Sequence, residues 1–322
     1  MQNVPIFTKF TMTNFDIKQF ILEKSKQAGF EQIGFAKAKY LQKYEQYFLT
    51  WLENGYHAQM QYMAKEPHKR LDVRLLLNSA KTVVVFVKNY NTQAQQCQSN
   101  YKISKYAFFD DYHILIKKNI SHIATELENK VENLEYRIFV DSAPLLEKAL
   151  AVEAGLGWWG KNSLVLTKNG SFFFIGILLL NIEIEDDNKI LADYCGKCTK
   201  CIDACPTKAI VSPRVVDSNS CISYLTIEKK EDFDPKMDYD FKNWVFGCDI
   251  CQEVCPWNRK SVFSKDPNLK PYEQIINFSP FDWENLTQNE FNAIFKKSAI
   301  KRTKYNGLMR NVNYVKQNLL KD

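Results

Sequence analysis

At 322 residues the chain exceeds a usual single domain, so two or three units are expected. Its formal charge of +6 and pI near 8.7 are mildly basic and point only weakly to anionic partners. The longest apolar run, Phe172 to Leu180, is about half the ~20 residues a spanning helix needs, and Met1 to Asn14 lacks the basic-then-apolar order of a secretory signal. These features exclude an integral helical membrane protein and lead us to expect a cytoplasmic one.

In chain order, Phe15 to Ala28 carries helical periodicity and stops at Gly29, a suitable helix-ending glycine. Gln32 to Ala36 reads as a short strand and Tyr40 to Asn54 as a helix. The continuous run Thr82 to Val87 (TVVVFV) predicts a strand covered on both faces. Tyr112 to Lys130 is helical, Tyr136 to Val140 a strand, and Leu145 to Ala154 a helix closed by Gly155. Alternating strands and helices predict an α/β core. Lys168-Asn169-Gly170, between the apolar runs Ser163 to Thr167 and Ser171 to Leu180, predicts a type I′ hairpin. The acidic stretch Glu183 to Asp187 marks a boundary, giving units of 1–185, 186–260 and 261–322, the last a helical tail.

Eight of the nine cysteines fall in the middle unit. Cys195, Cys198, Cys201 and Cys205-Pro206 reproduce C-x2-C-x2-C-x3-C-P, the spacing of bacterial two-cluster ferredoxins, and Cys221, Cys248, Cys251 and Cys255-Pro256 follow. Eight thiolates suffice for two [4Fe–4S] clusters. In such runs the fourth cysteine ligates the other cluster, so the expected sets are crossed. One is Cys195, Cys198, Cys201 and Cys255; the other is Cys205, Cys221, Cys248 and Cys251. Structural zinc fits poorly, because three cysteines in seven residues crowd a tetrahedral site. Disulfides fit a reducing cytosol worse still. Cys97, in a polar stretch, reads as an incidental loop thiol.

Gly155-Leu156-Gly157-Trp158-Trp159-Gly160 matches G-x-G-x-x-G, but it follows a helix where the dinucleotide fingerprint requires a strand. Its glycines and indoles suit close approach to a large flat ligand instead. Asp141 follows a strand and precedes Pro144. It is either a helix N-cap or an acid at a strand's C-terminal end, where burial would hold a proton on it at neutral pH. Asp110-Asp111 suits the positive start of the next helix. His57, His68, His113 and His122 share no metal-ligand spacing and read as surface or capping residues. From Lys296 to Arg310 the chain is basic without an acid, which suits either a solvated face or phosphate contacts.

Together these strings resemble the epoxyqueuosine reductases, cobalamin-dependent iron–sulfur enzymes that complete queuosine in tRNA. The resemblance rests on Ile103-Ser104-Lys105-Tyr106-Ala107 with Asp111-Tyr112-His113, on VDSAPLLEKALAVEAGLGWWGKN from Val140, and on CGKCTKCIDACPTKAI, CISYLT and GCDICQEVCPWN from Cys195, Cys221 and Gly247. It covers about residues 14 to 311. It implies a cobalamin-binding α/β core followed by a ferredoxin-like domain, with removal of the epoxide oxygen at the wobble base of a tRNA anticodon. It makes Asp141 the proton donor, and places cobalamin contacts on Arg70, Ser104, Asp141, Val165, Gly176 and Ile222. Ser223 and Lys229 fall on positions near the tRNA. Lys105 and Phe109 depart from the usual arginine and glycine. Longer members carry a helical-repeat domain that grips tRNA; this sequence stops before one, so the footprint is expected to rely on Lys301, Arg302 and Lys304. A monomer fed by an unidentified low-potential electron donor is expected. The rivals are a reductive dehalogenase-like enzyme, which usually carries an export signal, and a two-cluster electron carrier, which needs no preceding α/β domain.

Overall fold

The computed structural model describes residues 13–96, 101–186 and 189–320; Cys97 lies outside them. Helix α1 (Asn14–Gln27) is closed by a Thr13–Asp16 capping box and leads through Gly29 into β1 (Gln32–Lys37). Next come α2 (Gln42–Glu53), β2 (Thr82–Asn89) and the two-residue β3 (Lys102–Ile103). Then follow α3 (Tyr112–Glu128), β4 (Tyr136–Phe139), α4 (Glu147–Glu153), β5 (Trp158–Trp159), β6 (Val165–Leu166) and β7 (Phe173–Leu180). Beyond lie α5 (Ile222–Ile227), β8 (Trp244–Phe246) and α6 (Lys304–Leu319).

The main sheet runs β1-β2-β7-β4 with every pairing antiparallel. Its covered faces follow from the β2 run. Val84 and Phe86 pack with Ile17 and Ile21 of α1 and Ile116 and Ile120 of α3, while Val83 and Val85 pack with Phe48 of α2 and Leu150 of α4. Gly176 sets the spacing on the first face, since a Cβ there would lie 2.5 Å from Ile120 Cδ1. The first core does not end with the sheet. Trp244, Trp283, Leu308 and Val312 belong to it, and β8 pairs in parallel with β3. A fully buried Lys88 also pairs with Asp266, tying the last third of the chain to the sheet.

Two expectations need correction. The turn at Lys168-Asn169 forms, with Thr167 and Gly170 exchanging backbone hydrogen bonds at 2.9 and 3.1 Å, but no hairpin extends from it. Val165 and Leu166 pair with Trp159 and Trp158, and the Ser171 N–H donates to Asn258 Oδ1 at 2.7 Å. Tertiary partners on each side therefore separate the arms, and the left-handed residue is Gly170 rather than the two central positions a type I′ turn requires. The second correction concerns Asp141, which caps no helix. α4 begins at Glu147 with Leu146 as its N-cap residue.

Candidate active site

A cavity of about 1450 Å3 opens between α2, the bend that follows β4, the β5–β6 ribbon and the cysteine segments. That exceeds the roughly 300–1000 Å3 of sites for drug-sized ligands. Asp141, both indoles Trp158 and Trp159, Arg70, Ser104, Ser223 and Arg302 line it, together with Cys221, Cys248 and Cys251. Arg70 donates from Nη2 to the Tyr62 carbonyl at 2.6 Å, but its Nε and the Trp158 Nε1 are buried without a protein partner. Buried donors are nearly always satisfied, so these two, on residues that line the cavity, stand out among the described residues.

Asp141 sits on the bend with φ of 48°, a left-handed conformation that aspartate tolerates better than most residues. Its N–H donates to Glu147 Oε1 at 2.7 Å, which ties the bend to the first residue of α4. Tyr112 donates its hydroxyl to Asp141 Oδ2 at 2.9 Å, and His113 Nε2 lies 3.6 Å from the same oxygen. His113 Nδ1 is in turn 2.6 Å from Asp111 Oδ1, whose backbone position caps α3. The Asp141 side chain is 62% exposed and lines the cavity.

Burial pushes the Asp141 carboxyl up. Hydrogen bonds from His113 and Tyr112, with the charges of His113 and Arg302, outweigh it and leave the group below its ordinary value. The expectation that burial alone holds a proton there is thus reversed. Burial likewise pushes the His113 imidazolium down, yet its bonds to Asp111 and Asp141 win and raise it to about 9. Glu147 moves the other way: burial and the Asp141 charge push it up to about 7. His113 is therefore no surface or capping residue. With Tyr112 and Glu147 it is what the sequence reading missed, although all three stood inside quoted family strings.

Burial raises the thiols of Cys201, Cys221, Cys248, Cys251 and Cys255, and their neighbours group the cysteines. Cys201 feels Cys195 and Cys255, and Cys255 feels Cys195 and Cys198. Cys248 feels Cys251 and Cys221, while Cys221 feels Cys205. One contact bridges the groups, from Cys251 to Cys201. Cys255 and Cys195 also share an apolar cluster with Trp158 and Trp257. These neighbourhoods favour the crossed sets.

Other expected residues are placed less simply. Gly155 ends α4 with φ of 70°, and Gly157 and Gly160 serve the ribbon, since a Cβ on Gly157 would lie 2.3 Å from the Leu166 carbonyl oxygen. Val165, Gly176 and Ile222 do not line the cavity, although Ile222 stands between two residues that do, Cys221 and Ser223. Nor do the two departures. Lys105 gives its N–H to Asp249 at 2.8 Å and holds its ammonium 4.9 Å from the Phe172 ring centre, and Phe109 is core. In the basic run Lys301 and Lys304 are exposed, and Arg302 is bound by Glu228 at 2.6 Å. Arg310 is committed to the carbonyls of Leu225, Lys229 and Glu231. Lys229 lies beside this knot and outside the cavity lining.

Residues 70–142 match the family model described as epoxyqueuosine reductase QueG (DUF1730), and residues 194–258 match a 4Fe-4S double cluster binding domain. Among curated proteins, an epoxyqueuosine reductase of Cellulophaga algicola is 45% identical over 289 residues, covering 89% of this chain and 94% of that one. One from Cyclobacterium marinum is 45% identical over 305 residues, covering 92% and 96%. A solved epoxyqueuosine reductase with an epoxyqueuosine-modified tRNA-Tyr stem loop superimposes with a TM-score of 0.83 at 27% identity, covering 93% of this chain and 80% of that one.

Proposed function

The chain belongs to the epoxyqueuosine reductase family, and we propose that the cavity beneath Asp141 is where it reduces epoxyqueuosine to queuosine at the wobble position of tRNA anticodons. One observation carries this placement: a single cavity holds the Asp141 carboxylate and three thiols of one cysteine set, so protons and electrons reach the same space. The reaction takes two electrons and two protons and releases the epoxide oxygen as water. Deleting the gene should make epoxyqueuosine accumulate in tRNA, as read by mass spectrometry, and the intact gene should restore queuosine. Unchanged nucleoside composition in the deletion strain would refute the function.

The protein binds two [4Fe–4S] clusters. We assign Cys195, Cys198, Cys201 and Cys255 to an outer cluster, and Cys205, Cys221, Cys248 and Cys251 to an inner one whose thiols open onto the cavity. Anaerobic reconstitution should give about eight irons per chain. The cavity also suits cobalamin. It is large enough, has aromatic walls, and is lined by Arg70 and Trp158, whose Nε and Nε1 have no protein partner among the described residues. Arg70 and Ser104 would hold it from the lining; Val165, Gly176 and Ile222 rest on family likeness alone. Bound there, cobalamin would supply low-potential redox chemistry beside the inner cysteine set.

The protein's own task is proton delivery. Asp141 faces the cavity but is ionised at rest, so as general acid it must take a proton. The nearer Tyr112 hydroxyl is held well above its ordinary value and keeps its proton, so the source is His113, charged below about 9, whose ring Asp111 fixes. Transfer is concerted: the His113 Nε2–H bond breaks as Asp141 passes a proton to the departing oxygen, because a carboxyl held below its ordinary value beside a raised imidazolium does not keep the proton at rest. Because His113 has a raised pKa, its proton is present below about 9 and lost above it. Turnover should decline through that pH. His113→Gln should abolish this alkaline limb and lower the plateau by up to about 10²-fold, within the range of positioned proton transfer. An unchanged pH profile would leave His113 a structural neighbour only.

For tRNA we propose that Ser223, Arg302, Lys301 and Lys304 frame the cavity mouth, with Lys229 behind. Because Glu228 already neutralises Arg302, the salt-dependent contacts fall chiefly on Lys301 and Lys304. Changing both to Gln should reduce the slope of log K against log salt by about 0.7–0.9 per lost contact, with cluster spectra unchanged. An unchanged slope would show a solvated face.

A further inference from the structure

The outer cysteine set has a surface that the reaction in the cavity does not use. None of Cys195, Cys198, Cys201 and Cys255 lines the cavity, and the first three lie half-buried in a loop whose intervening residues are exposed. Lys197 and Lys200 project from that loop. Lys161 reaches it from the β5–β6 ribbon, donating to the Gly196 carbonyl at 2.7 Å, and Lys208 lies just beyond, 3.4 Å from the Asp203 carbonyl. The neighbouring acids are already engaged. Asp193 accepts from the Cys195 N–H at 2.8 Å and from Arg214 at 2.5 Å, and Asp203 accepts from Thr199 at 2.7 Å. Arg214 neutralises Asp193, and Asp203, which keeps its charge, stands alone against four lysines, so the rim is net positive. Within it stands Tyr194, 47% exposed, its ring 5.0 Å from Trp158, which reaches the cavity.

We propose that this rim is the docking surface for an acidic, low-potential electron-carrier protein, which reduces the outer cluster while tRNA occupies the cavity mouth. The proposal rests on the outer and inner cluster assignment above. Such encounters are small and brief, so opposite charge contributes mainly to the rate of association. A basic rim with an exposed aromatic among its lysines, over three half-buried thiols, meets those needs. RNA is the less favoured occupant, because none of the four lysines lines the cavity that must admit the modified base.

The test is stopped-flow reduction of the oxidised holoenzyme by an acidic plant-type [2Fe–2S] ferredoxin, with calorimetric binding of the oxidised ferredoxin as a second readout. The parental rate should fall steeply with ionic strength. Lys200→Glu with Lys208→Glu should slow reduction at low salt by at least about tenfold and weaken binding, as expected for lost electrostatic steering. Iron content should stay parental, as should reduction by photoreduced 5-deazariboflavin, a small reductant that needs no docking surface. If that pair loses iron, Lys161→Glu, outside the cysteine loop, undergoes the same test. Parental ferredoxin rates and salt dependence in variants with full iron would overturn the proposal. So would weakened tRNA binding with unchanged ferredoxin reduction, which assigns the rim to RNA. A parent chain that takes up no iron would overturn the cluster assignment itself, and iron analysis reads that separately.

Discussion

Asp141→Asn is expected to lower turnover by about 10²–10⁴-fold, the usual contribution of a positioned acid or base, with the fold and cofactor content intact. The carboxamide is nearly isosteric, and Asn suits the left-handed backbone at φ of 48° as well as Asp does. Its oxygen can still accept from the Tyr112 hydroxyl, and its N–H can still donate to Glu147. Since Asp141 caps no helix, a cap is not lost with it. What disappears is the one group in the bend that can take a proton from His113 and present it to the cavity. Single-turnover assays with bound tRNA isolate this step from binding. Turnover within threefold or so of the parent would refute the assignment. Asp141→Ala is the poorer variant, because it leaves the His113 imidazolium and the Tyr112 hydroxyl facing an empty site.

How much of this was legible in the sequence depends on whether each feature is local. The cysteine spacing was readable because a cubane constrains neighbouring residues directly. The strand at β2 was readable because a residue run records that both faces are covered. The stop at Gly29 was equally local. By contrast, Asp141 looked like a cap because Pro144 follows it, and only the fold shows that Glu147 turns back to bind its N–H. The Asn-Gly turn misled for a related reason: Asn258, far along the chain, captures Ser171 and draws the arms apart. Of the proton system the family string gave Asp141 but none of its partners. His113 and Asp141 belong to different elements, and the sign of the Asp141 shift is a contest between burial and partners that no single stretch contains. The basic run concealed its division of labour similarly, since Glu228 and three carbonyls take up two of its arginines.

Cys255→Ala should remove about half the iron and, with it, turnover supported by a protein electron donor. The reason lies in the packing. Cys255 is buried in one apolar cluster with Cys195, and its thiol feels Cys195 and Cys198 rather than its own block. If the sets are crossed, losing Cys255 opens the outer cluster while Cys205, Cys221, Cys248 and Cys251 still hold the inner one. Iron should fall from about eight to about four per chain, and the remaining cubane should keep its magnetic signature on reduction. Cys205→Ala should do the reverse, sparing the outer cluster and disturbing the one beside the cavity. Sequential ligation makes the opposite forecast: Cys205 would then complete the set begun by Cys195, and its loss would empty the outer site. The cavity distinguishes the two variants independently of iron counts. Cys221, Cys248 and Cys251 line it, whereas no thiol of the outer set does. Perturbing the inner cluster should therefore shift the optical spectrum of cobalamin bound beside it, while losing the outer cluster should leave that spectrum unchanged. If Cys255→Ala alters the cobalamin spectrum and Cys205→Ala does not, the crossed assignment is wrong.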